Sequence, residues 1–245
     1  MRTAEKTELN RLGRWYDRYL SGWLAPRFAF VPLVLCYALN CLIYFGTQLL
    51  MRHAAPLCME TPLDGLFPFM PGWVWVYIFF VPFWLYGYIR VSRLRRADLD
   101  RLVAAHLLCE AACALFFILL PTTNTRPELP QGFSAAALGL IYQLDPPRNL
   151  FPSIHCMVSW LCWAGVRGNP RVSRAERWLL FAGAVCICLS TLFVRQHVLA
   201  DVFAGIALAE AGLAVSRHTG LAPALSRLFA KLELRLFGAV DEQAN

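Results

Sequence analysis

Charged residues are scarce in this chain: they make up 16% of its 245 residues, against about 25% in an average soluble domain. With 58% of residues hydrophobic, that scarcity excludes an ordinary soluble globular domain. Metal-type cysteine spacing is also missing. Nine cysteines are present, but none forms a Cys-x-x-Cys pair. Most sit inside apolar runs (Cys36, Cys41, Cys109, Cys113, Cys162, Cys186, Cys188), where a single cysteine behaves as a small apolar residue. Only Cys58 falls in an outer loop, and Cys156 follows a motif at a span entrance. A cleavable signal is not expected either, because the first apolar run is too long for a signal core and its charged leader is long.

What is present are long apolar runs, at 28–50, 72–88, 102–120, 154–166, 178–194 and 198–215. They predict an all-α, multi-pass transmembrane bundle of six spans. The fourth run is short for a span of about 20 residues and is expected to borrow from Asn149 upstream or Arg171 downstream. The net charge of +7 follows this topology rather than a nucleic-acid footprint. Arg90, Arg93, Arg95, Arg96 and Arg101 lie between runs two and three, and Arg167, Arg171, Arg174 and Arg177 between runs four and five. Further basic residues precede the first run and follow the last, so all share one side of a six-span chain. The positive-inside rule makes that side cytoplasmic, in a cell-membrane protein with both termini inside.

The organisation expected is a cytoplasmic N-terminal segment at 1–27, a catalytic membrane domain at 28–215 and a cytoplasmic tail at 216–245. Leu9, Leu12, Tyr16, Tyr19 and Trp23 alternate with arginines at helical spacing, as in an amphipathic helix on the membrane surface. Leu225, Leu228, Phe229, Leu232 and Leu236 repeat the pattern in the tail. The loop at 51–71 is proline-rich and irregular. The link at 121–152 carries an apolar stretch, 133–144, too short to span. His106 and Glu110 share a helix face in the third run, nearer the inner end, and read as a structural pair.

Topology gathers Arg126, Arg148, Ser153, His155, Arg195, His197 and Asp201 on the outer face. If the chain is helical from His197, the i,i+4 spacing sets Asp201 beside its ring, fixing one nitrogen and freeing the other as base or nucleophile. A capped helix start with an incidental His–Asp pair is the alternative. Arginine forks match phosphate oxygens, and Pro152-Ser153 opening a helix adds an anion seat. Phosphoryl transfer then has a nucleophile in His197, an acid in His155 and charge stabilisation from Arg126, Arg148, Arg195 and Ser153. Two histidines and an aspartate can also ligate zinc, but the arginines would repel a divalent cation, so no cofactor is expected. The partners implied are a lipid phosphate and membrane lipids, without nucleic acid or an obligate protein partner.

These blocks resemble the type 2 phosphatidic acid phosphatase superfamily, whose motifs read Lys-x6-Arg-Pro, Pro-Ser-Gly-His and Ser-Arg-x5-His-x3-Asp. Arg126-Pro127 matches the end of the first block, Pro152, Ser153 and His155 the second, and Ser190, His197 and Asp201 the third. The resemblance implies a phosphohistidine on His197, oriented by Asp201, with His155 protonating the departing alcohol. The family lysine falls at Leu119, the third-block arginine at Thr191 and the second-block glycine at Ile154. Arg195 and Arg148 are the residues available to replace the missing cations. With these departures the chain looks closer to the inositol phosphorylceramide synthase branch, which passes a head group to a lipid alcohol. A lipid phosphate phosphatase or phosphotransferase is therefore expected, with a head-group transferase and a non-catalytic lipid-phosphate binder as the alternatives.

Overall fold

The computed structural model describes residues 8–239, so the stretches 1–7, with Lys6, and 240–245 of the two expected terminal segments lie outside the described residues. Its helices are α1 (Arg11–Tyr19), α2 (Arg27–Leu50), α3 (Val74–Ile78), α4 (Phe80–Ser92), α5 (Arg96–Leu119), α6 (Phe133–Leu144), α7 (Ile154–Ala164), α8 (Arg174–Phe193), α9 (Leu199–His218) and α10 (Leu221–Phe237). Two short strands, β1 (Leu57–Cys58) and β2 (Thr122–Thr123), pair in parallel and tie the loop between α2 and α3 to the one between α5 and α6.

Among the described residues, five segments are long and apolar enough to cross a membrane: Arg27–Leu50, Pro71–Ser92, Arg96–Leu119, Arg174–Phe193 and Leu199–His218. The fourth run of the sequence makes only α7, whose 11 residues reach about 16 Å. Neither flank lengthens it. Asn149 takes a left-handed backbone (φ 57°) in the preceding loop, and turns follow Gly165. What α7 lacks in length it gains in enclosure, because α4, α5, α8 and α9 all pack around it. Met157, Leu161 and Cys162 are fully buried there, in one core with Leu102, Cys109 and Leu180.

The bundle has two chemically different ends. At one, Arg90 pairs with Glu176 at 2.5 Å, Arg167 with Glu210 at 2.7 Å and Arg95 with Asp98 at 3.1 Å. This basic end also receives the terminal helices. Glu233 of α10 lies 3.5 Å from Arg27 and 3.3 Å from Arg96, and Tyr16 of α1 is buried against Phe30 and Phe237. The aromatic residues Trp15, Tyr19 and Trp23 stay exposed on the outer side of this pair. Of the third-run pair, His106 and Glu110 approach to 3.6 Å, with Tyr88 and Asn40 as further partners.

The opposite end holds the loops and the starts of α7 and α9. One close approach governs it. A Cβ at Gly205 would stand 2.5 Å from the Ser153 carbonyl oxygen, so only glycine lets α9 settle onto the start of α7. The contact is tight enough for the Ser153 amide to donate to the Asp201 carbonyl at 3.1 Å. Residues 42 apart in the chain, His155 and His197, are thereby brought face to face.

Candidate active site

Each histidine is set by its own helix start. Ser153 caps α7, its Oγ accepting from the Cys156 amide at 3.3 Å, and His155 follows in the first turn. Behind it, the Thr122 hydroxyl accepts from the Leu150 and Phe151 amides at 3.0 and 2.9 Å, anchoring the incoming loop to β2. The start of α9 is built differently. Val198 has no side-chain oxygen, so Asp201 reaches back and its Oδ2 accepts from the Val198 amide at 3.0 Å. A second carboxylate, Asp64 from the loop between α2 and α3, takes the Leu199 amide at 2.7 Å. Three hydrogen bonds, from the Leu199 amide and from the Thr61 amide and hydroxyl, outweigh the burial of Asp64 and lower its pKa.

The His197–Asp201 pair forms, but through this capping geometry rather than along a helix face. His197 precedes the helix, and its Nδ1 lies 3.2 Å from the same Asp201 Oδ2. Burial of the ring opposes its charge, yet the carboxylate prevails and raises the His197 pKa. Asp201 is fully buried. With Nδ1 engaged, Nε2 of His197 faces Nδ1 of His155 at 3.3 Å. The other nitrogen of His155, Nε2, meets the Tyr77 hydroxyl at 3.0 Å. Phe80 and Trp84 pack against the same ring, with centroids 4.7 and 5.8 Å away.

The arginines are placed less simply than expected. Arg148 lines a cavity beside the histidines, where its Nη1 also approaches the Met51 and Ala54 carbonyls at 3.4 and 3.5 Å. Arg126 lies over the Tyr142 ring at 4.2 Å and donates to the Tyr142 and Asp145 carbonyls and to Gln196 Oε1. Burial lowers its pKa, which the nearby Asp145 opposes. The guanidinium of Arg195 is turned to the loop between α2 and α3, donating to the Asp64 and Phe67 carbonyls at 3.1 and 2.8 Å. The structure therefore brings His155, His197 and Arg148 to the cavity, sets Asp201 behind His197, makes Ser153 the cap of α7, and ties Arg126 and Arg195 to carbonyls.

Arg195 also has a backbone task. Its φ of 53° is left-handed, a conformation that costs a residue with a Cβ roughly 1–2 kcal/mol. This turn ends α8 and lets the Thr191 carbonyl accept from both the Gln196 and His197 amides, at 2.9 and 3.1 Å. Asn124 secures it by donating to the Arg195 carbonyl at 2.9 Å. Thr191, where the resembling family carries arginine, is fully buried and serves the same turn. Replacing Arg195 with lysine keeps a cation but loses the fork onto two carbonyls. The expected outcome is a melting temperature a few degrees lower, with any phosphate-ester turnover by the folded protein reduced less than about tenfold. A loss above a hundredfold at unchanged melting temperature would instead assign the guanidinium to the phosphate.

Several residues that complete the site carry no motif. Tyr44, Tyr77 and Asp145 come from α2, α3 and the end of α6, and Asp64 and Gln196 from loops. The cavity that Tyr44, Tyr77 and Asp145 line measures about 630 Å³ and is walled mainly by apolar side chains such as Leu33, Phe45, Val81, Leu85 and Val158. Ile154, where the family has glycine, contributes to its wall, and Leu119, at the family lysine position, is 70% exposed on the outer surface of α5.

A search of curated proteins and a search of solved structures each returned no match. The comparison with family models did, and it covers the stretch that carries Arg126, Arg148, Ser153, His155, Arg195, His197 and Asp201: residues 121–222 are similar to the PAP2 superfamily.

Proposed function

We propose that this chain is an integral-membrane lipid phosphate phosphatase or phosphotransferase that works through a phosphohistidine on His197. The observation that carries the reading is the line Asp201–His197–His155 at the wall of a largely apolar cavity. Similarity to the PAP2 superfamily over 121–222 supports the same class. The cavity holds a hydrocarbon chain while the phosphate sits among the two imidazoles, Arg148 and the start of α7, where helix amides favour an anion.

The steps follow from the ring nitrogens. Asp201 holds the Nδ1 proton of His197, leaving the lone pair of Nε2 for attack on phosphorus. The phosphoryl group enters as the two rings part from their 3.3 Å contact. As the Nε2–P bond forms and the P–O bond breaks, His155 gives its Nδ1 proton to the departing alcohol. Water, or an alcohol in a transferase, then attacks the phosphohistidine and returns a proton to His155. The proposal places the basic end in the cytoplasm and the site on the outer face, with α7 and its flanks as a sixth crossing.

The experiment is an assay of the purified full chain on a panel of lipid phosphates, with and without lipid alcohols. Release of inorganic phosphate without an acceptor is expected. Turnover only with an added alcohol would make the protein a head-group transferase, and binding without turnover would make it a non-catalytic relative.

A further inference from the structure

His155 has a carboxylate of its own, one hydroxyl away. Its Nε2 meets Tyr77 Oη at 3.0 Å, and that hydroxyl donates to Asp145 Oδ2 at 3.4 Å. The other oxygen of Asp145 accepts from the Tyr44 hydroxyl. Four elements far apart in sequence converge on this contact, and Tyr44 and Tyr77 lie outside the segment similar to the PAP2 superfamily. From the sequence, His155 has no such partner, since its own i+4 neighbour is Ser159.

We propose that Tyr77 and Asp145 are positioning residues for the proton donor of the reaction, with Tyr44 holding the carboxylate in place. This rests on the phosphohistidine reading. The hydroxyl of Tyr77 has one hydrogen, so it cannot donate to both neighbours. If it donates to Asp145, its oxygen lone pair accepts the Nε2–H of His155. That assignment leaves His155 able to carry a second proton on Nδ1, the nitrogen facing His197. Burial and the neighbouring His197 oppose the charge of the resulting imidazolium, and Asp145, through the phenol, is the group on this side of the ring that favours it.

When the leaving oxygen takes the Nδ1 proton, an O–H bond forms, an N–H bond breaks, and the imidazole becomes neutral while keeping Nε2–H. No proton crosses Tyr77, and none is needed. In the second step the attacking water or alcohol gives its proton back to Nδ1. The phenol also prevents the ring from flipping, because rotation would exchange a nitrogen for a carbon opposite Tyr77. The site thus has two carboxylate-backed histidines of opposite duty: Asp201 directly behind the nucleophile, and Asp145 behind the acid at one remove.

The test is single-turnover phosphorylation of the full chain in detergent, with phosphate esters differing only in leaving group. Dodecyl phosphate needs a proton on its departing alcohol, and p-nitrophenyl phosphate does not. Tyr77→Phe removes one oxygen and keeps the ring against His155 and Phe80. Phosphorylation by dodecyl phosphate is expected to slow about 10- to 100-fold, and by p-nitrophenyl phosphate less than threefold, since a positioned acid is worth roughly 10²–10⁴-fold. Asp145→Asn should show the same selective loss, and serves as the second variant if Tyr77→Phe is recovered unfolded. Equal slowing on both esters would mean that the tyrosine only supports the fold, and would overturn the inference alone. A wild-type chain that forms no phosphoenzyme with either ester would overturn the phosphohistidine reading, and this inference with it.

Discussion

Replacing His197 with alanine is expected to abolish the phosphoenzyme with every substrate, whatever its leaving group. Its Nε2 is the atom left free by the 3.2 Å contact of Nδ1 with Asp201, and it faces the cavity shared with His155. His155→Ala should fail differently. It removes a proton, not a bond to phosphorus, so the phosphoenzyme should still form from p-nitrophenyl phosphate and fall by about 10²–10⁴ with an alkyl phosphate. Rapid quench with labelled substrate, trapping the acid-labile phosphohistidine in alkali, separates the two outcomes. Label recovered on His155, or a phosphoenzyme surviving in His197→Ala, would reverse the assignment of roles.

Asp201→Asn is expected to lower the phosphorylation rate by about 10³–10⁴ while leaving the fold intact, by analogy with the loss of a triad aspartate. The reasons are a tautomer and a charge. Asp201 Oδ2 accepts both from His197 Nδ1 and from the Val198 amide, so the carboxylate requires the nucleophilic ring to carry its neutral proton on Nδ1. An asparagine with its oxygen at that position keeps the two contacts but loses the negative charge that stabilises the ring as Nε2 bonds to phosphorus, and one with its nitrogen there would face the Val198 amide donor to donor. Asp201→Ala removes the Val198 hydrogen bond as well, and should cost about 1 kcal/mol of stability in addition. A melting temperature close to wild type in Asp201→Asn, with activity nearly gone, is the result that supports this account. Activity within tenfold of wild type would remove Asp201 from the mechanism.

The parts of this site that were legible in the sequence are those encoded locally. His197 and Asp201 are four residues apart, and Ser153 stands two before His155, so short-range helix-start geometry suffices to place each pair. Even there one detail was not local. Asp201 meets His197 by folding back over a Val198 that cannot cap its own helix. The placement of the arginines was not legible at all. Arg126 and Arg195 look like free cations in the sequence, yet backbone carbonyls and Gln196 take their Nη donors.

By itself, the sequence determined that the chain is a bundle of apolar helices with basic residues gathered at one end, because runs of apolar residues and the positions of arginines are one-dimensional facts. It also singled out His155 and His197, whose ring nitrogens the fold sets 3.3 Å apart. Only the tertiary structure decided that the fourth run is an 11-residue helix enclosed by its neighbours, since the gathering of α4, α5, α8 and α9 around it is not written in the run itself. The tertiary structure alone, too, joined Tyr44, Tyr77 and Asp145 to His155. Those residues come from α2, α3 and the end of α6, and no periodicity links them. Their meeting depends on how closely helices approach, and at the start of α7 that closeness is set by a hydrogen atom in place of a side chain at Gly205.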